Sequence, residues 1–287
     1  MKRSVAVLFS LLFAGAAFAA GPAAVRKRVE ASMLVTGTIQ VAADGSVASY
    51  ALDKPDKLPP VVTDLIQKAT PTWHFKLDPV NGAASPVAAK MTIRMLAKPV
   101  GDDNYSVSIA SANFGEYHAS SDQIGYKDRQ PPRYPSEAVQ SRVAGTVYLV
   151  MRVGRDGKVA EIDVEQVNLE VIDSDNGMKH WRRVLGEASI KAARDWTYNI
   201  PTTGKFANSP YYVTRVPVNF DLNVAGQPKP DTYGKWVGYV PGPRESIPWM
   251  QAAQHENQAE KFNDALPEGG TYLVGSGLKL ITPLGDS

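Results

Sequence analysis

The sequence contains no cysteine among its 287 residues. That absence excludes disulfide bridges, thiolate metal sites and a cysteine nucleophile. Histidine is scarce and scattered, and no pair of histidines has the spacing of metal ligands. The chain has neither a Gly-x-Ser-x-Gly turn nor a phosphate-binding glycine loop. We therefore expect no catalytic residues, no metal and no cofactor.

Long hydrophobic runs are also missing, apart from one near the N-terminus. Lys2 and Arg3 precede the apolar stretch Val5–Ala16, and Ala17-Phe18-Ala19 follows it with small residues at both ends. This pattern is typical of a cleaved signal peptide. The apolar run is shorter than the roughly 20 residues that a membrane span needs. The sequence predicts a signal peptide over residues 1–19 and a periplasmic protein, with an uncleaved signal anchor as the alternative.

An excess of charge of one sign is lacking too. The chain has 31 basic and 29 acidic residues, and removal of Lys2 and Arg3 makes these numbers equal. A neutral mature protein gives no reason to expect nucleic acid or anionic lipid as a partner. No integral membrane segment is expected after cleavage of the signal.

The most regular pattern lies in residues 131–223. Apolar side chains alternate along Gly145–Val153, which predicts a half-buried strand. Asp156-Gly157 predicts a tight turn into a second strand, because Asp-Gly supports positive φ. A helical stripe ending at Trp196 and a closing alternation over Val216–Leu222 follow. The fold class is therefore α+β, with an antiparallel sheet and a helix on one face.

This stretch resembles the C-terminal domain of the TonB energy-transducer family. The resemblance rests on a set of motif positions: Pro132, Tyr134, Pro135, Gly145, Asp156, Gly157 and Trp196. It implies a small antiparallel sheet with a packed helix. It also implies that the domain binds an extended peptide of an outer-membrane transporter by adding a strand to its sheet.

By the same resemblance, the closing strand is the pairing edge. The candidate partner-binding residues are Arg215, Val216, Pro217, Val218, Asn219, Phe220, Asp221 and Leu222. We expect Val216, Val218, Phe220 and Leu222 to face the helix. Pro217 lacks an N–H group, so only one side of the strand can be fully paired.

Residues 29–97 repeat the same order of signals. Asp44-Gly45 corresponds to the later Asp-Gly turn, a helical stripe ends at Trp73, and Ala89–Met95 alternates as a closing strand should. We interpret this region as a degenerate copy that lacks the Tyr-Pro motif and whose helix is shortened by Pro71. The alternative is a chance similarity of two α+β segments.

Two further segments complete the chain. Residues 98–130 read as a linker with one strand signal, at Tyr105–Ile109. Residues 224–287 read as an extended tail that packs on one of the domains. The tail ends in a predicted β-hairpin, because Gly270–Val274 and Leu278–Ile281 flank Gly275-Ser276-Gly277.

These features together favour a periplasmic protein-binding module. Its partner would be a cell-envelope protein, by resemblance an outer-membrane transporter, and its role would be related to TonB-dependent transmembrane transport. Two alternatives stay open at this stage. One is an energy transducer with an uncleaved anchor, and the other is a purely structural envelope protein whose duplicated domains pack on each other.

Overall fold

The computed structural model describes residues 21–77, 85–101, 104–116, 121–222, 231–250 and 262–285. The predicted signal peptide lies outside these ranges. The fold is α+β with antiparallel sheets, as the sequence predicts. Within the described ranges, no helix is long and apolar enough to cross a membrane.

The first sheet is built from residues 30–116. The chain up to residue 116 contains α1 (Pro22–Arg26), β1 (Glu30–Val41), β2 (Val47–Leu52), α2 (Pro60–Ala69), β3 (Phe75–Lys76), β4 (Val87–Gly101) and β5 (Asn104–Glu116), of which β3 lies outside this sheet. Strand β1 pairs with β4 on one side and with β2 on the other, and β4 pairs in turn with β5. Alternate residues of β1 and β4, among them Val35 and Ile93, are buried beneath α2. The order is therefore β2-β1-β4-β5, with α2 on one face.

The second sheet is built from the stretch with the most regular pattern. This region contains β6 (Gly125–Asp128), α3 (Ser136–Gln140), β7 (Gly145–Gly154), β8 (Val159–Leu169), α4 (Asp175–Ala193), β9 (Thr197–Asn199) and β10 (Tyr211–Phe220). Strands β6 and β9 pair with each other in a separate two-stranded sheet. Strand β7 lies between β8 and β10. Its inward residues Val147, Leu149, Met151 and Val153 are completely buried against α4, as the alternation predicts.

Equivalent turns in the two sheets have the same geometry. Gly45 (φ +88°) and Gly157 (φ +74°) both adopt the left-handed region that favours glycine. The carbonyl of Gly45 accepts from the N–H of Phe75 at 2.8 Å, and the carbonyl of Gly157 accepts from the N–H of Tyr198 at 2.8 Å. Each turn is thereby tied to the short strand that follows the helix.

The two tryptophans that end the helical stripes are buried, as predicted. Trp73 is 0% exposed and Trp196 is 1% exposed. The indole of Trp73 donates to the carbonyl of Leu284 (3.1 Å), and that of Trp196 donates to the carbonyl of Gln130 (2.8 Å). In both cases a distant segment of the chain satisfies the buried N–H group.

The last part of the chain contributes three short strands, of which two extend the two sheets and the third forms a separate two-stranded sheet with β3. They are β11 (Val237–Tyr239), β12 (Tyr272–Leu273) and β13 (Lys279–Leu280). Strand β11 pairs with β1, β12 with β10, and β13 with β3. The predicted terminal hairpin is therefore wrong. The strand signals were real, but each strand pairs with a strand far away in sequence.

The predicted boundary at residue 97 also differs from the structure. Strand β4 continues to Gly101, and β5 pairs with it along most of its length. The expected linker thus contains a full strand of the first sheet, and it also contains β6, which pairs with β9. The strand signal at Tyr105–Ile109 lies within β5, but polar side chains and glycines hid the rest of β5 and all of β6.

A buried polar cluster joins the two sheets. Arg94 of β4, which is 8% exposed, donates to the hydroxyl of Ser32 (2.9 Å) and to the hydroxyl of Tyr148 on β7 (2.9 Å). It also donates to the carbonyl of Asp264 (2.6 Å) and forms an ion pair with that residue's carboxylate (3.3 Å). The guanidinium therefore holds both sheets and the C-terminal segment together.

Candidate binding edge

The orientation of β10 follows from its two neighbours. Strand β7 pairs with one side, and β12 pairs with the other side at Thr214 and Arg215. The N–H of Val274 donates to the carbonyl of Val213 (2.8 Å), so the backbone groups of Val213 point away from β7. Because these groups alternate along an antiparallel strand, those of Arg215, Pro217 and Asn219 point the same way. We call this side of the strand the β10 edge.

Pro217 lies at a position where its missing N–H does not interrupt the hydrogen bonds between β10 and β7. Its nitrogen faces the β10 edge, so the ladder with β7 loses no donor. The inward side chains Val216, Val218 and Phe220 are at most 2% exposed and pack in the core. Leu222 was expected to join them, and that prediction is wrong. The strand ends at Phe220, and Leu222 is 37% exposed.

Only part of the β10 edge is paired within the described ranges. Strand β12 covers Val213 to Arg215, and no described segment pairs with the edge from Pro217 to Phe220. The carbonyl of Pro217 and both backbone groups of Asn219 therefore face a gap. Of the predicted site, Arg215 lies under β12, while Asp221 and Leu222 lie beyond the strand.

The equivalent edge of the first sheet and much of the opposite edge of the second sheet are covered. In the first sheet, β5 pairs along the outer side of β4, which occupies the place that β10 has in the second sheet. At the opposite edge of the second sheet, the N–H of Val240 donates to the carbonyl of Leu169 (2.7 Å) and the N–H of Glu245 to that of Glu165 (2.9 Å). The segment 240–245 thus closes much of the β8 side.

A cavity of about 510 Å³ adjoins the uncovered part of the edge. Pro217 and Asn219 line it from the second sheet, and Ser32 and Leu34 line it from the first. A strand placed beside Pro217–Phe220 would direct alternate side chains to this face, because side chains alternate along a strand. The cavity has room for such side chains between the two sheets.

A buried ion pair braces the same face of β10. The guanidinium of Arg215 donates to both carboxylate oxygens of Glu165 on β8, at 2.7 and 3.0 Å. The two residues are 3% and 7% exposed. The side chain of Arg215 therefore spans the sheet rather than reaching for a partner, and only its backbone belongs to the edge.

Tyr134 of the family motif has a structural position. Its hydroxyl donates to the carbonyl of Val143 (2.5 Å), and its ring packs edge-on against Phe220 with centroids 5.2 Å apart. Burial, with the nearby carboxylates of Asp221 and Glu170, raises the pKa of the Tyr134 hydroxyl to about 12. The residue fixes the end of β10 next to the uncovered edge.

The other motif residues also shape the sheet. Pro135 is the residue directly before α3, and Pro132 lies in the irregular segment that leads to it. A side chain at Gly145 would come within 2.3 Å of the carbonyl of Asn168, so only glycine allows β7 and β8 to approach there. Asp156 accepts from the N–H of Lys158 (3.1 Å) and closes the turn at Gly157. We conclude that the motif builds the fold that presents the edge.

Pattern reasoning missed the residues that partly cover the edge and join the sheets. Strand β12 is only two residues long, and Arg94 looks like one polar residue of an alternating strand. The alternation of Tyr272, Leu273 and Val274 did indicate a strand, but not its partner. In the described ranges, no group of acidic residues, histidine or cysteine is arranged to hold a metal ion.

The comparisons with known proteins concern the same region. Residues 130–222 match the family model described as "Gram-negative bacterial TonB protein C-terminal". Two curated relatives are "Protein TonB" of Xanthomonas campestris pv. campestris, from strains B100 and ATCC 33913, each 36% identical over 102 residues. That alignment covers 35% of this chain and 39% of each relative. No solved structure matches the chain.

The family match includes every motif residue on which the resemblance rests, from Pro132 to Trp196. It also includes β10, the strand with the partly uncovered edge. The sequence resemblance is thus confirmed for this part of the chain. Residues 130–222 form a TonB C-terminal domain.

Proposed function

We propose that this protein is a periplasmic TonB-like binding module. Its TonB C-terminal domain captures an extended segment of an envelope protein, such as an outer-membrane transporter, by adding a strand to the β10 edge. The observation that carries the proposal is that no described strand pairs with the outward backbone groups of Pro217 and Asn219, two residues that line a cavity. Backbone groups left at a sheet edge form a template for another strand.

The cavity beside the edge suggests that affinity and selectivity have separate sources in the partner strand. Backbone bonds to Pro217 and Asn219 would provide affinity that depends little on sequence. Side chains entering the cavity would provide selectivity, because they meet Ser32 and Leu34 from the first sheet. The first sheet would then contribute to recognition although the family match lies outside it.

We also propose that residues 29–97 descend from a duplication of the TonB C-terminal fold. Three correspondences support it: the strand order, the glycine turns at Gly45 and Gly157, and the buried Trp73 and Trp196. In the first sheet, β5 pairs with the edge of β4, and the equivalent edge of β10 in the second sheet is partly unpaired. The copy would therefore have no strand-binding activity and would serve as a scaffold.

Export through a cleaved signal peptide is part of the proposal. The basic start, the short apolar run and the Ala17-Phe18-Ala19 site support it. We expect a mature protein beginning at Ala20 or Gly21 in the periplasmic fraction. Intact-mass measurement of the purified protein tests this expectation. A full-length chain in the membrane fraction would contradict it and favour an anchored energy transducer.

The test of strand addition uses Asn219→Pro. The N–H of Asn219 faces the β10 edge, so proline there removes a donor for the partner and leaves the β7 ladder intact. We expect affinity to fall by about tenfold, since a backbone bond is lost and the ring obstructs the edge. The probes are extended ten-residue peptides covering the periplasm-exposed segments of the source organism's outer-membrane transporters, measured by calorimetry.

Two matched variants make the result specific. Asn219→Ala shortens a side chain that lines the cavity but retains the N–H, so its affinity should stay well above that of Asn219→Pro. Val218→Pro removes a donor that faces β7 and should damage the sheet, which circular dichroism would detect. If no peptide binds, or if a folded Asn219→Pro protein binds normally, strand addition at this edge is wrong. The purely structural role would then be favoured.

A further inference from the structure

The C-terminal part of the chain runs along both sheets. We define residues 262–285 as the C-terminal strap. It begins at the buried Asp264, touches the β10 edge through β12, and returns to the first sheet's core through β13. The middle of the strap therefore lies on the strand that the proposed partner would pair with.

The two ends of the strap are firmly held. At one end, Arg94 contacts both the carbonyl and the carboxylate of Asp264, and Asn263 donates to the carbonyl of Ala112 (2.8 Å). At the other end, Ile281 donates to the carbonyl of His74 (2.9 Å), and the carbonyl of Leu284 accepts from the indole of Trp73. Every one of these contacts is made with residues of the first repeat region or the strand that pairs with it.

The middle of the strap is held at β6, where Tyr126 donates to the carbonyl of Gly270 (3.1 Å) and the adjoining Arg129 donates to that of Gly269 (3.4 Å). Strand β12 has two residues, and among them only Leu273 is buried, with 8% of its surface exposed. The next bond toward the C-terminus joins Val274 to Val213. Short edge pairings of this kind open more easily than the sheets that they cover. Release of β12 from the β10 edge thus breaks a pairing much shorter than the one between β10 and β7.

The covered and uncovered parts of the edge are adjacent. Tyr272 of β12 pairs with Arg215, the N–H of Val274 donates to the carbonyl of Val213, and the gap begins at Pro217. A strand that starts to pair at Asn219 can extend only if it replaces β12. Replacement adds the N–H and C=O groups of Val213 and Arg215 to its own pairing, so the longer complex gains backbone bonds.

We infer that β12 is an internal competitor for the β10 edge. A partner strand that first pairs at Pro217 and Asn219 then displaces β12 from Arg215. This inference rests on the proposed strand addition. The first sheet holds both ends of the strap, so β12 stays close to the edge after displacement and returns when the partner leaves. High local concentration of a tethered competitor lowers the apparent affinity of the partner.

The test locks β12 onto β10 with a disulfide. Thr214 and Leu273 are directly opposed and both buried. They form a non-hydrogen-bonded pair, whose Cα atoms lie about 4.5 Å apart in antiparallel sheets, within disulfide reach. The chain has no other cysteine, so Thr214→Cys/Leu273→Cys can form only this internal bridge.

Oxidised and reduced forms of this variant are compared with the peptide probes described above. We expect oxidation to lower affinity by at least about tenfold and reducing agent to restore it. The single variant Thr214→Cys should show no response to reducing agent, which controls for the loss of the hydroxyl. Mass spectrometry confirms the bridge. Equal affinity of the bridged and reduced forms would overturn the inference.

A second variant opens the edge. Tyr272→Pro removes the N–H that pairs with Arg215, while the anchors at Asp264 and Leu280 remain. We expect peptide affinity to rise, and unchanged affinity in a folded protein would also overturn the inference. A failure of the proposed function gives a different result. If no strand is added at this edge, the reduced double-cysteine protein and the opened variant bind none of the peptides.

Discussion

The guanidinium of Arg215 and the carboxylate of Glu165 form a two-point ion pair across the second sheet, at 2.7 and 3.0 Å. Both residues are almost completely buried. Arg215 belongs to the strand that carries the proposed binding edge, so its side chain and backbone have separate roles. The side chain stabilises the sheet, whereas the backbone pairs with Tyr272 of β12.

Breaking this pair on one side should be costly. Arg215→Met leaves the buried carboxylate of Glu165 without its partner, and we expect a loss of about 3–5 kcal/mol in the free energy of unfolding. The double variant Arg215→Met/Glu165→Met removes both charges and should recover most of that loss. Denaturant unfolding measures both. A double variant as unstable as the single one would show that the packing of Arg215, not its charge, is what matters.

The glycine turns offer a paired test of the proposed duplication. Gly45→Ala and Gly157→Ala place a side chain at positive φ and within 2.3 and 2.2 Å of the carbonyls of Phe75 and Tyr198. We expect each change to cost about 1–3 kcal/mol. Gly125→Ala is the control, because a Cβ there meets no atom within 4 Å. A neutral effect at either turn would remove one of the three correspondences.

Removal of the tryptophan at the end of the second stripe should destabilise its sheet. Trp196→Ala deletes a side chain that is 1% exposed, and we expect a cost of about 3–5 kcal/mol. Trp196→Phe retains most of the packing but loses the bond to the carbonyl of Gln130, so its cost should be smaller. Thermal unfolding followed by near-ultraviolet circular dichroism compares them. A near-neutral Trp196→Ala would mean that the core does not depend on this residue.

Alkaline pH should weaken the contact between the sheets. Burial raises the pKa of Tyr148 to about 12, whereas an exposed tyrosine in the unfolded chain titrates near 10. The neutral hydroxyl therefore favours folding at every pH below about 10, and this contribution is lost as pH rises toward about 12. We expect the free energy of unfolding to fall over that interval.

Tyr148→Phe separates this residue from the other tyrosines. The variant should lose stability at neutral pH by about 1–3 kcal/mol, because Arg94 loses an acceptor in a buried site. Its decline between pH 10 and 12 should be shallower than that of the unmodified protein. Burial also raises the pKa values of Tyr126 and Tyr134 to about 12, so some decline should remain. Parallel slopes would contradict a role for Tyr148.

Local patterns predicted the elements well and their distant partners poorly. The alternation along β7, the turn at Gly157 and the burial of Trp196 all follow from neighbours in sequence. The strand signals at Tyr272 and Leu280 were also correct. Their pairing with β10 and β3 depends on which sheet edges remain uncovered in the folded chain, and no periodicity contains that information.

The helix of the second sheet shows a related difference. The helical stripe that ends at Trp196 predicts a helix but does not indicate where that helix begins. Strand β8 continues to Leu169, and α4 begins at Asp175 with Ser174 accepting from the N–H of Gly177 (3.2 Å). Polar residues such as Asn168 and Arg182 are held there by the segment around Gly242 and Pro241. Contacts with the tail, rather than local propensity, allow these polar residues to be covered.

The contact between Trp73 and Leu284 bears on the order in which the chain can fold. The two residues are 211 positions apart. During synthesis, the core around Trp73 must therefore wait for the last residues before its indole N–H finds an acceptor. Contacts of such long sequence separation slow folding, because the chain must close a large loop before it gains their energy. The hydrogen bond of the Trp73 indole can therefore form only after the segment around Leu284 has been added to the first core.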